Sequence, residues 1–150
     1  MDAELMNALG NGGAYAAAAF AAFGSSLGTG YGASSAIGAW KRCYAQNQIA
    51  PMLLAAFIGA PLSQTIYGFV LMGQIQSKVA ENPAAWPMYL IIGITAGLAM
   101  GASAAAQGKA AAGACDAQAS TGKGFTNYLL ALGIVETVAL FAMVFGMMAL

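Results

Sequence analysis

Charge is nearly missing from this chain of 150 residues. Five basic and five acidic side chains leave it 7% charged, with no net charge and no histidine. Soluble chains are about a quarter charged, so an ordinary soluble domain is excluded. The balanced charge provides no electrostatic footprint for nucleic acid. Without histidine there is no histidine catalysis, and two cysteines far apart, Cys43 and Cys115, cannot build a cysteine-based structural zinc site. What remains is apolar: 60% of the residues are hydrophobic and 20 are glycine. Glycine in apolar surroundings points to close helix packing rather than disorder. A membrane span needs roughly 20 mostly apolar residues, and this chain has material for four. The sequence reads as an all-α integral membrane protein.

Four apolar stretches run from Gly12 to Gly38, Ile49 to Gln76, Trp86 to Ala112 and Asn127 to Leu150. The breaks between them collect the charge: Lys41 and Arg42, then Lys78 and Glu81 near Pro83 and Pro87, then Asp116 and Lys123. Four spans place both termini on one side. Counted over the short loops, Lys and Arg favour connections one and three, where Lys41, Arg42 and Lys123 lie. The positive-inside rule therefore puts loops one and three in the cytoplasm and both termini outside a multi-pass cell-membrane protein. The acidic start, Asp2 and Glu4, suits a translocated tail and not the basic n-region of a signal peptide. Both cysteines fall near the cytoplasmic side, where thiols stay reduced.

The spans alternate in kind. In span one Gly24, Gly28 and Gly32 recur every fourth position, as do Gly97 and Gly101 in span three. This small-xxx-small pattern lets helix backbones approach closely in lipid. Spans two and four carry bulk instead, from Phe57, Phe69 and Leu71 to Leu140, Phe141 and Phe145. The order reads as two fused helical hairpins, 12–76 and 86–150, within one membrane domain, 1–150. Gly30-Tyr31-Gly32 lies where Ala106-Gln107-Gly108 lies, and Pro61 to Thr65 where Gly133 to Thr137 lies, which fits an internal duplication; chance likeness between Ala/Gly-rich helices is the alternative. One apparent motif is discarded. Gly28-Thr29-Gly30-Tyr31-Gly32-Ala33 fits a dinucleotide fingerprint, but it sits inside an apolar helix with no βαβ unit around it.

Glu136 is the informative residue, because it lies near the middle of the last span. A charge at that depth costs at least about 2.5 to 3.5 kcal/mol, so such a group is usually functional and partnered. Candidate partners lie at the same level. Gln107 and Glu136 each stand about 14 residues from the turn at Thr121 and Gly122, or roughly 21 Å along a helix. In span two Ser63, Gln64 and Tyr67 are near mid-membrane, with Gln64 and Tyr67 on one face. Pro61 removes a helical N–H and is expected to free a carbonyl near Ile58 or Ala60. A carboxylate, amide and hydroxyl oxygens and a carbonyl suit a hard cation. One carboxylate balances one charge, which argues for Na⁺ or H⁺ over Ca²⁺. The oxygen-rich surroundings favour Na⁺. The alternative role for the two glutamines is interhelical hydrogen bonding alone.

The motifs Pro61-Leu62-Ser63-Gln64-Thr65-Ile66-Tyr67-Gly68, Ala106-Gln107-Gly108-Lys109 and Ile134-Val135-Glu136-Thr137 resemble the proteolipid of V-type rotary ATPases, the K subunit that forms the c-ring. The resemblance covers nearly the whole chain. The c-ring proteolipids of F-type enzymes are similar but usually have a single hairpin with its own acid; here Gln64 stands where a second acid would be. The resemblance implies that Glu136 carries the ion, with Gln64, Gln107, the Ser63 hydroxyl and the Ala60 carbonyl as Na⁺ ligands and Tyr67 orienting Glu136. It implies no ligand duty for Lys109, which is expected to snorkel toward the cytoplasmic face. It further implies a homo-oligomeric ring, with glycine-rich helices inside and bulky ones toward lipid, working with a stator subunit and central-stalk subunits. ATP synthesis or hydrolysis would belong to those partners. A small multi-span cation transporter or channel, with Glu136 as its binding site, is the alternative reading.

Overall fold

The computed structural model describes residues 2–150. Five helices carry the chain: α1 (Ala3–Ala45), α2 (Leu54–Gly59), α3 (Ser63–Glu81), α4 (Trp86–Thr121) and α5 (Phe125–Met148). α2 and α3 are one rod interrupted by a short 3₁₀ turn at Ala60–Leu62, so the molecule is four rods in two hairpins.

The helices outrun the apolar stretches that announce them. α1 begins at Ala3 because the Asp2 carboxylate accepts the Leu5 N–H at 2.8 Å, satisfying one of the donors that a helix start leaves open. It ends where Asn47 turns into the left-handed region at φ 52° and Pro51 follows. Its 43 residues make a rod of about 65 Å at 1.5 Å per residue, twice the hydrocarbon thickness. α4 continues to Thr121 through an alanine-rich stretch of strong helix formers. Gly122 (φ 65°) and Gly124 (φ 90°) then reverse the chain in three residues, both in a backbone region that side chains with a Cβ avoid.

Among the described residues three segments are long and apolar enough to cross a membrane: Leu54–Glu81, Pro83–Thr121 and Phe125–Met148. The sequence expectation of four spans thus meets the hydropathy criterion in three. α1 departs for a physical reason: its buried stripe is Gly10, Gly13, Ala14, Ala17, Gly24 and Gly28, small residues that contribute closeness and little hydropathy.

That closeness organises the molecule. α1 and α4 run parallel and touch along their length. A Cβ added at Gly24 would land on the backbone of Gly101, and one at Gly108 on the backbone of Gly28. α3 seats against α1, α4 and α5, and α5 against α4 and α3. Two apolar clusters fill the bundle. One packs Leu71, Ile75, Val79, Tyr89 and Met100. The other packs Leu54, Phe57, Ala111, Cys115 and Leu132, with the Phe57 and Phe125 rings 5.2 Å apart. Polar side chains occupy the level between them. Outward from α5, Leu130, Ile134, Val138, Phe141 and Phe145 form an exposed apolar stripe. The Arg42–Asp116 ion pair ties α1 to α4 at the end that also holds Lys41.

Candidate functional site

Pro61 builds one side of the site. Lacking an N–H, it cannot continue the α-helical ladder, and the chain tightens into the 3₁₀ turn Ala60–Leu62 before α3 starts. The expected free carbonyl near Ile58 or Ala60 takes a particular form. Ala60 O accepts the Ser63 backbone N–H, as a 3₁₀ turn requires, and the Ser63 hydroxyl at 3.0 Å. It is engaged on the helix side by the residue next to the site.

From there a chain of hydrogen bonds crosses three helices. The Ser63 hydroxyl also lies 3.2 Å from Gln64 Oε1, so its single proton serves either acceptor. Gln64 Nε2 donates to Gln107 Oε1 at 2.8 Å. Gln107 Nε2 donates to Glu136 Oε2 at 3.2 Å and to the Leu132 carbonyl at 3.0 Å. The Tyr67 hydroxyl donates to Glu136 Oε1 at 2.6 Å, which closes the circuit back onto α3. Both carboxylate oxygens are therefore held, one from each hairpin. Gln64 and Gln107 are wholly buried, while Glu136, Tyr67, Ser63 and Ala60 are half-buried. The six positions singled out in the sequence lie together in one network.

Sequence reasoning missed Ser103. Its hydroxyl donates to the Val135 carbonyl at 3.0 Å, pinning α5 one residue before Glu136. The available signal was spacing, since Ser103 precedes Gln107 by four residues and shares its helix face. Lys109 stands apart from the network: its amine lies 6.0 Å from the centroid of the exposed Tyr31 ring, in cation–π range. Cys43 and Cys115 are both free and buried.

Among the described residues no group of three His, Cys, Asp or Glu could hold a metal ion. The charge at this site is that of one carboxylate, surrounded by neutral oxygens and amide donors. Such a set can hold a proton or a monovalent cation, and it is one charge short of what a divalent ion asks.

Residues 90–149 match the family model of the ATP synthase C subunit. The match spans α4 and α5 and so includes Ser103, Gln107 and Glu136, but not Ser63, Gln64 and Tyr67. No curated protein matches the chain. The second hairpin is thus similar to a rotor proteolipid, a membrane protein that moves ions as part of an oligomeric ring.

Proposed function

We propose that this chain is the ring-forming proteolipid of a V-type rotary ATPase, and that Glu136 carries Na⁺ across the membrane. The observation that supports this best is the double clamp on Glu136: Tyr67 from the first hairpin and Gln107 from the second each hold one carboxylate oxygen. Both partners are neutral, and among the described residues no basic side chain pairs with Glu136, so its charge is left for a bound cation or proton to balance. Ser63, Gln64, Gln107 and the Ala60 carbonyl supply the remaining oxygens, and a half-turn of either amide changes which atom it presents. The proton is the competing cargo at the same carboxylate.

In this reading several copies form a ring, with α1 and α4 on its inner side and the α5 stripe toward lipid. The loaded, neutralised site faces lipid at low cost. Opposite a stator subunit a basic residue and a water path draw the ion off. Loops one and three lie in the cytoplasm beside the central stalk, and both termini lie outside. The pocket between α1 and α4 is an apolar groove lined by Phe20, Phe23, Leu27 and Leu98, with none of the polar residues around Glu136 in its lining, which disfavours the transporter alternative.

Carbodiimide labelling of Glu136 in detergent, at fixed pH with Na⁺ or K⁺, tests the reading. Carbodiimides attack the protonated carboxyl, so a bound cation protects it. The expected result is labelling slowed by Na⁺ and not by K⁺. Labelling indifferent to Na⁺ would replace sodium with the proton, and an unreactive Glu136 would remove the ion-carrier reading altogether.

A further inference from the structure

One buried polar group is left over by the circuit around Glu136. Ser25, on α1, is 2% exposed, and its hydroxyl has no hydrogen-bond partner among the described residues. Several hydroxyls in these helices satisfy themselves on backbone carbonyls of their own helix, and those of Ser35 and Ser103 reach carbonyls of a neighbouring helix. Ser26 donates to the Phe23 carbonyl, Thr29 to that of Ser25, Thr95 to that of Ile91 and Thr137 to that of Ile134. The Ser25 hydroxyl forgoes that bond, and a buried hydroxyl without a partner is expensive.

Its depth is fixed by the antiparallel packing of α1 on the second rod. A Cβ at Gly68 would lie 2.6 Å from the Ala21 Cβ and 2.8 Å from the Ala17 carbonyl. A Cβ at Gly28 would lie 2.7 Å from the Pro61 Cβ. Ser25 lies midway between Ala21 and Gly28 on the buried stripe of α1, and Gln64 midway between Gly68 and Pro61. The two residues occupy the same level of the bundle. Gln64 also has something to offer: its amide carries two N–H groups, and one of them is taken, by Gln107 Oε1.

We propose that Ser25 is a positioning residue of the ion site, accepting the second amide hydrogen of Gln64 through one bridging water or after a rotamer change. Held from behind in this way, Gln64 keeps its Oε1 turned toward Ser63 and the carboxylate circuit. The inference rests on Glu136 being the ion carrier. It adds the inner helix of the first hairpin to a site otherwise built by α3, α4 and α5.

The test uses the full chain and the Na⁺ midpoint for protecting Glu136 from carbodiimide. Ser25→Ala should raise that midpoint about fivefold, the worth of one buried hydrogen bond. Thermal unfolding without Na⁺ should stay as in the unsubstituted protein, because alanine fits where serine does. In a Gln64→Asn background, whose amide is withdrawn by one methylene, Ser25→Ala should add nothing further. An unshifted midpoint in Ser25→Ala, or an equal shift in both backgrounds, would overturn the proposal and leave Glu136 as carrier. If Na⁺ does not protect the unsubstituted protein, the same cycle is read in the labelling rate, with the same two outcomes. If its Glu136 does not label, the carrier reading falls and Ser25 with it.

Discussion

Replacing Tyr67 with Phe removes one oxygen and leaves the ring packing in place, so it isolates the hydrogen bond to Glu136. That bond is 2.6 Å long, in the range of an O–H donor on a carboxylate. Hydrogen bonds to charged groups contribute about 1.5–3 kcal/mol and those between neutral groups about 0.5–1.5 kcal/mol. The phenol therefore favours the ionised, cation-bound carboxylate over the protonated one by the difference. Tyr67 and Glu136 are both half-buried, which places the difference at the lower end, about 1 kcal/mol. At a fixed pH, Tyr67→Phe should then need about fivefold more Na⁺ to protect Glu136 from carbodiimide. The assay is a Na⁺ titration of labelling in both proteins. A midpoint that stays put, or falls, would refute the idea that Tyr67 tilts the competition between Na⁺ and the proton.

Gln107→Leu removes the donors to Glu136 and Leu132 and takes away the acceptor of the buried Gln64 amide N–H. It should abolish Na⁺ protection and lower stability by about 1–3 kcal/mol, measured by thermal unfolding in detergent. Gly24→Leu drives a side chain into the Gly101 backbone and should separate α1 from α4, with a large loss of thermal stability. Gly12→Ala, where nothing lies within 4 Å of the new methyl, serves as its neutral control. Asp116→Asn breaks an ion pair that is more than half exposed on both sides, and should change unfolding by less than about 1 kcal/mol.

The site was largely legible in the sequence because membranes make polar groups conspicuous. Glu136, Gln107 and Gln64 stand out among apolar neighbours, and distance from a turn is enough to set their depths. Pro61 gave away the interruption beside Ser63, though not which carbonyl it would engage. Ser103 and Ser25 were hidden for the opposite reason. Both sit in stripes of Gly and Ala, where serine reads as one more small residue, and only tertiary contact distinguishes a hydroxyl that reaches α5 from one with no partner. Helix ends were also out of view. The Asp2 cap and the alanine-rich end of α4 extend both rods past their apolar stretches, and hydropathy is blind to each. The same blindness explains α1, whose role depends on backbone contact with α4 and not on apolar content.

Equilibrium binding of radioactive sodium, measured on the purified protein and on Glu136→Gln, addresses the central claim most directly. The expected result is one Na⁺ per chain in the first and none in the second, while both proteins unfold at similar temperatures. Sodium binding that survives the substitution would place the ion elsewhere and contradict Glu136 as its carrier.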